Sequence, residues 1–240
     1  MTQLPAEQEN AIPLGDQTED APVQFIALVK GFSRMFWGVA LTAIFFLSQA
    51  RLEIFSAIYL PVYFAGTALH CWGLLTLRKA GKVSGRWDFY LVLATLLTLL
   101  EIYFSPFVHW WQAMPYIPFF TFNVGALAMA VIISLYLTNI IIADFFRRFS
   151  LKGERLEARI YAMAVLVFMA APLLVALVFS GVSALRYQTI FLDELVGTIH
   201  RVPIWLYVIV TIPYSLTLAV LWKARDRSYQ QFCREKEAVK

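Results

Sequence analysis

Apolar residues form long runs along most of this chain, and short polar stretches separate them. Six runs are long enough to cross a hydrocarbon layer of about 30 Å, which takes about 20 helical residues. They cover residues 25–49, 54–77, 88–111, 117–143, 160–180 and 202–222. The pattern predicts an all-α, polytopic integral membrane protein with six transmembrane helices and short interfacial helices between some of them.

Composition supports a membrane protein. The 240 residues are 60% hydrophobic, and their mean hydropathy is +0.66, whereas soluble domains are about 45–50% apolar. The lipid bilayer is therefore the expected partner. The net charge of +4 does not indicate nucleic acid as a partner, because the basic residues lie at the ends of the apolar runs.

The distribution of basic residues predicts the orientation. With both termini in the cytoplasm, 17 of the 20 Lys and Arg residues fall on the inner side, and Arg51, Arg186 and Arg201 fall on the outer side. Cytoplasmic loops of membrane proteins carry this excess of positive charge. We therefore expect an N-in/C-in protein, and the compact loops suggest a bacterial inner membrane.

The chain divides into three parts. Residues 1–22 carry five acidic residues and no Lys or Arg, which predicts a disordered acidic N-terminal tail. Residues 23–222 form the six-helix transmembrane domain, and residues 223–240 form a basic cytoplasmic tail. Residues 144–159 are polar and basic, with Phe145, Phe146 and Phe149 between the charges, and they predict a short interfacial helix with an inner loop around Gly153.

The third span carries an acidic residue, Glu101. This residue follows Asp88 by 13 positions, which is roughly 20 Å along a helix. An ionisable side chain at that depth should face the bundle interior or water. Ala94, Thr98 and Ser105 share its helical face, and small or hydroxylated residues are typical of helix contacts in lipid.

Asn123 in the fourth span is the expected partner of Glu101. A short outer loop at 109–116 makes the two spans antiparallel neighbours, and both residues then lie about 10 Å below the outer surface. One interpretation is a proton or cation relay at Glu101. The other is a protonated Glu hydrogen-bonded to Asn123, which would only stabilise packing.

The histidines suggest weaker alternatives. His70 in the second span could bind haem or carry protons, but a second axial histidine at the same depth is missing from the sequence. A structural, hydrogen-bonded His70 is the simpler interpretation. Four residues on the predicted outer face could form a metal site or hold a haem, although their spacing matches no metal motif. They are His109, Asp193, Glu194 and His200.

Other chemistry is not indicated. Cys71 and Cys233 show no disulfide or zinc pattern, so no metal or other cofactor is expected beyond the haem alternative. No nucleophile elbow, phosphate-binding glycine loop or zinc motif occurs, which argues against an enzyme. Pro61 and Pro172 lie in the middle spans of the two halves, as in inverted-repeat transporters, but the halves share no residue pattern.

Three functions remain open. The first is an accessory, assembly or anchoring subunit that binds other membrane protein subunits in a larger complex. It rests on the sparse intramembrane chemistry, the acidic leader and the basic tail. The second is a small secondary transporter or channel with a proton or cation relay at Glu101. The third is an intramembrane redox subunit that uses His70, His109 or His200 to hold haem.

Overall fold

Helices make up the regular structure of the described chain. The computed structural model describes residues 24–49, 59–114, 117–171, 173–174 and 204–238, and within these ranges every regular element is helical. The elements are α1 (Phe25–Gln49), α2 (Tyr59–Lys79), α3 (Trp87–Phe104), α4 (Pro106–Ala113), α5 (Pro118–Arg148), α6 (Lys152–Val165), a π-helical turn (Leu166–Ala170) and α7 (Ile204–Ala238).

Four stretches within these ranges are long and apolar enough to cross a membrane: Phe25–Phe45, Leu60–Lys79, Trp87–Trp111 and Phe119–Arg148. They correspond to the first four predicted spans. Much of the fifth predicted span, and the loop before the sixth, lie outside the described residues. The six-span count and the N-in/C-in orientation therefore stay predictions.

Helices α1 and α2 pack closely because glycines face each other across the contact. A Cβ atom added at Gly38 would lie 2.7 Å from the carbonyl oxygen of Gly66, and one added at Gly73 would lie 2.9 Å from that of Gly31. Real Cβ atoms do not approach backbone atoms so closely. Small residues of this kind let membrane helices approach backbone to backbone. The pair positions the buried face of α2 toward the rest of the bundle.

The outer end of the third span differs from the prediction. The expected loop at 109–116 is mostly helical, because Ser105 keeps a helical backbone and Pro106 occupies the first position of α4, where its missing N–H breaks no bond. Helix α4 then continues to Ala113. The Trp111 indole N–H donates to the Thr121 hydroxyl at 3.1 Å and joins α4 to α5.

The inner connection after the fourth span also differs. Helix α5 continues to Arg148, and the turn falls at Ser150, whose φ of 56° ends the helix. Gly153, around which the inner loop was expected, lies in the first turn of α6. The polar residues 152–159 are thus the start of a longer helix, which buries Ala158, Ala162 and Val165 on one face.

The basic helix ends meet at one end of the bundle. The Ser84 hydroxyl, in the loop before α3, donates to Asp144 Oδ2 at 2.9 Å near the end of α5. Lys223 of α7 pairs with Glu157 of α6 at 2.6 Å. These contacts gather the loop after α2 and the polar parts of α5, α6 and α7 on the same side.

Candidate functional site

The polar stripe of α3 faces the interior. Ala94, Thr98, Glu101 and Ser105 are all buried, and the Glu101 side chain is only 4% exposed. All four positions follow the spacing of three or four residues that one face of a helix requires. Helix α3 packs against α2 and α5, so Glu101 enters the space between these helices and not the lipid.

A small cavity lies beside the Glu101 carboxyl. Helices α1, α2, α3, α5 and α7 all contribute to its wall, which consists of Val39, Thr42, Tyr63, His70, Glu101, Val131, Ser134, Leu135 and Tyr214. The space open to the centre of a water-sized sphere is about 10 Å³. A cavity of this size has room for about one water molecule.

Two polar atoms beside this cavity lack a hydrogen-bond partner among the described residues. The Tyr63 hydroxyl donates to Glu101 Oε2 across 3.5 Å, which is at the long limit of a hydrogen bond. Ser134 lies close to the Glu101 carboxyl, but neither Ser134 Oγ nor Glu101 Oε1 meets the distance and angle limits of a hydrogen bond with a residue in the described ranges. Buried polar atoms are almost always paired, so each exception requires a physical explanation.

His70 belongs to the same cluster. Its Nε2 atom lies 3.3 Å from the Thr138 hydroxyl of α5, one helical turn from Ser134. The residue is 4% exposed and lines the cavity. Because the cavity holds about one water, it does not accommodate a haem beside His70.

Asn123 does not bond to Glu101, contrary to the expected pairing. Its side-chain amide donates to the Phe119 carbonyl of its own helix at 2.7 Å, and no hydrogen bond joins it to Glu101 among the described residues. The pairing was expected from equal depth below the outer surface. However, α4 continues past that level, and the Trp111–Thr121 contact places Asn123 near the end of the bundle where α4 meets α5. Ser134 takes the position opposite Glu101.

Thr98 and Ser105 are buried but lie outside the cavity wall. The Thr98 hydroxyl donates to the Ala94 carbonyl at 2.8 Å, and the Ser105 hydroxyl donates to the Ile102 carbonyl at 3.0 Å. A hydroxyl that donates its one hydrogen to a carbonyl of its own helix has no hydrogen left for another acceptor, and it can still pack closely against a neighbouring helix. These two residues therefore support the helix face on which Glu101 lies.

Of the four outer-face candidates, only His109 lies in the described part of the chain. His109 is exposed on α4. Asp193, Glu194 and His200 lie outside the described residues, so a metal or haem site with His109 stays a prediction. Among the described residues no three His, Cys, Asp or Glu side chains cluster closely enough to hold a metal ion.

Sequence reasoning missed three members of the cavity. Tyr63 of α2 and Ser134 of α5 line the wall beside Glu101, and the sequence pattern did not connect either residue with Glu101. Tyr214 of α7 carried no signal beyond its position after Pro213. The depth of each residue along its helix would have identified Ser134 as the neighbour of Glu101 only if the relative shift of α3 and α5 had been known.

An arginine inside the first span was also overlooked. The Arg34 guanidinium donates to the Thr76 hydroxyl at 2.6 Å and lies 3.9 Å from the centre of the Trp72 ring. A cation over an aromatic face is stabilised most when it is partly desolvated. Arg34 is thus held against α2.

The fold and this interior cluster fit one class of protein. Four membrane-length helices and a buried acidic cavity are typical of a multi-pass helical membrane protein. Comparison with known protein families, with curated proteins and with solved structures found no match to this chain.

Proposed function

We propose that the chain is a small membrane transporter or channel in which Glu101 binds and releases a proton or a small cation. The observation that carries this proposal is the unpaired Glu101 Oε1 atom, which borders a cavity of single-water size together with Ser134 Oγ. An ionisable residue inside a membrane bundle that faces such a cavity is a functional-site hypothesis by default.

Charge balance supports the same proposal. Among the described residues that line the cavity none is Lys or Arg. An isolated carboxylate in a low-dielectric interior is costly, so a proton or a cation must balance its charge. The Tyr63 and Tyr214 side chains and the His70 ring provide further polar atoms through which a proton can be exchanged.

The first experiment tests proton binding directly. Infrared difference spectra of the reconstituted protein at two pH values should contain a band of a protonated carboxyl that Glu101→Gln removes. The control is Glu157→Gln, which removes an acid at the polar end of α6 and should keep that band. A band that persists in Glu101→Gln would contradict proton binding at Glu101.

The second experiment tests transport. Proteoliposomes that contain a trapped pH-sensitive dye should equilibrate an imposed pH difference at least about tenfold faster with the wild-type protein than with Glu101→Gln, because the amide cannot carry a proton. Glu157→Gln should behave like the wild type. Identical slow rates in all three preparations would contradict a proton-conducting role.

A second candidate function is that of an accessory or anchoring subunit. Helix α7 is 35 residues long, roughly 50 Å, which exceeds the hydrocarbon thickness of about 30 Å. Residues 223–238 expose most of their charged side chains and offer a surface to another membrane protein. Purification in a mild detergent should then retain a partner, and truncation after residue 222 should release it. A protein that elutes alone would contradict this role.

A further inference from the structure

A second, larger pocket opens at the basic end of the bundle. It lies between α3, α5, α6 and the loop that precedes α3, and its volume is about 700 Å³. This volume is within the range of small-molecule sites, roughly 300–1,000 Å³. The pocket is separate from the Glu101 cavity, and the two share no lining residue.

The walls of this pocket divide into a basic part and an apolar part. Arg86, Arg147 and Arg159 contribute the basic part, and all three are exposed. None of their guanidinium groups forms a hydrogen bond or an ion pair with another described residue. Leu137, Ile140 and Met163 belong to the apolar part. The helices therefore place guanidinium groups that have no partner among the described residues next to an apolar surface that a hydrocarbon chain can contact.

The acidic residue of the pocket does not cancel this charge. Asp144 lines the wall and accepts a hydrogen bond from Ser84 at 2.9 Å. Three guanidinium groups against one carboxylate leave an excess of positive charge. A neighbouring cavity of about 430 Å³ adds Lys82 and Arg148 and shares Ser84, Gly85, Asp144 and Arg147 with the first pocket.

We propose that this pocket binds the phosphate headgroup of an anionic membrane lipid. The guanidinium groups contact the phosphate oxygens, because their planar N–H groups match that geometry. The acyl chains lie along the apolar wall formed by α5 and α6. Basic pockets between membrane helices at the charged end of a bundle are suited to such headgroups.

The apolar wall favours a lipid over free phosphate. An inorganic ion would contact only the arginines and would gain nothing from Leu137, Ile140 and Met163. A diacyl phospholipid buries its chain against these residues and gains free energy in proportion to the apolar area covered. Free phosphate should therefore bind much more weakly than the intact lipid.

The test is native mass spectrometry of the purified full chain with added lipid. Phosphatidylglycerol should bind as one retained molecule, and phosphatidylcholine should bind at least about tenfold more weakly. The double variant Arg147→Gln/Arg159→Gln should lower phosphatidylglycerol affinity by at least about tenfold. The matched control Arg234→Gln/Lys236→Gln removes two positive charges from the far end of α7 and should bind like the wild type.

The remaining arms separate the possible occupants. Inorganic phosphate at millimolar concentration should fail to displace the lipid, and displacement would show that the pocket is a site for a free anion. Equal affinity for both lipids, or equal loss in both double variants, would overturn the proposal. If phosphatidylglycerol binds only after removal of residues 1–22, the acidic leader of the chain is the occupant of the pocket and the proposal fails.

Discussion

Glu101 combines burial with incomplete pairing. Its side chain is 4% exposed, and one carboxyl oxygen lacks a hydrogen-bond partner among the described residues. Such a group contributes little to stability, because a buried polar atom that stays unpaired costs about 1–3 kcal/mol. A residue that only stabilised helix packing would be expected to use both oxygens. We therefore expect the Glu101 carboxyl to contribute little to the stability of the bundle.

This argument predicts the effect of an apolar replacement. Glu101→Met has a similar volume and removes the unpaired oxygen, so we expect unchanged stability or an increase of up to about 2 kcal/mol. The measurement is reversible unfolding in mixed detergent micelles. Tyr63→Phe, which removes the 3.5 Å hydrogen bond to Glu101, should change stability by less than about 0.6 kcal/mol. A loss above about 2 kcal/mol in Glu101→Met would identify the carboxyl as a packing element.

Glu157 predicts a dependence of stability on pH at the polar end. The hydrogen bond from Lys223 holds the pKa of this carboxyl below its usual value of 4.5, and a second bond from the Tyr161 hydroxyl acts in the same direction. A lowered pKa contributes stability that is fully present above the unfolded-state value and is lost as the pH falls through the folded-state value. The contribution should therefore begin to decrease at about pH 4.5 and disappear only below the lowered folded-state pKa.

The corresponding measurement compares Glu157→Gln with the wild type at several pH values. Because the pair is partly exposed, the difference at neutral pH should be about 0.5 kcal/mol or less. It should decrease toward zero in acid, and Lys223→Gln should show the same loss at neutral pH. A difference that grows as the pH falls would contradict this ion pair.

At the residue scale, the sequence predicts positions along a helix better than partners across helices. The burial of Glu101 follows from its depth and from the 3.6-residue period of Ala94, Thr98 and Ser105. Its partner does not follow, because the relative shift of α3 and α5 depends on where each helix ends. The extension of α4 to Ala113 changes that shift and brings Ser134 to the position that Asn123 was expected to occupy.

Among the elements, the α1–α2 pair has the strictest steric limits. A methyl group at Gly38 would meet the Gly66 carbonyl oxygen at 2.7 Å and the His70 backbone nitrogen at 2.6 Å. Both are backbone atoms, so the helices themselves must move apart. Overpacking of this kind costs roughly 1–3 kcal/mol.

Gly38→Ala should accordingly lower stability by roughly 1–3 kcal/mol. The matched control is Gly125→Ala on α5, where an added Cβ meets no atom within 4 Å. That substitution should leave stability unchanged or raise it slightly, because alanine is the better helix former. Equal effects of the two substitutions in detergent unfolding would contradict the close contact of α1 and α2.

The helix ends were harder to predict than the helices. The third span was expected to run as one helix to residue 111 and Gly153 to lie in a loop, yet a turn at Ser105 separates α3 from α4, which begins at Pro106, and Gly153 lies in α6. Proline is compatible with the first turn of a helix, and the packing of neighbouring helices outweighs the low helix propensity of one glycine. Ser150, which makes the actual turn, has no distinctive sequence signal.

At the scale of the whole molecule, the basic ends of the described helices lie together. The contacts Ser84–Asp144, Glu157–Lys223 and Glu154–Arg227 connect the loop after α2 with α5, α6 and α7. The grouping agrees with the charge distribution of the sequence. Which side of the membrane this end faces is a separate question, and the positive-inside rule predicts the cytoplasm.

This orientation predicts a labelling pattern. In a variant that lacks Cys71, an impermeant thiol reagent should label Cys233 of α7 only after the cells are permeabilised. Ala113→Cys, exposed at the end of α4, should be labelled in intact cells when Cys233 is replaced by Ser. The reverse pattern would contradict the predicted orientation, and labelling of both sites in intact cells would contradict an odd number of crossings between them.

The glycine contacts between α1 and α2 have a mechanical consequence for the Glu101 cavity. They join these two helices into one rigid body, which carries Tyr63 and His70, whereas Glu101 and Ser134 belong to the helices packed against it. Under the proposed function, a widening that admits an ion would slide or tilt α3, α5 or α7, which form the rest of the cavity wall, against this pair of helices. The separation between the Tyr63 hydroxyl and the Glu101 carboxyl would report such a displacement directly.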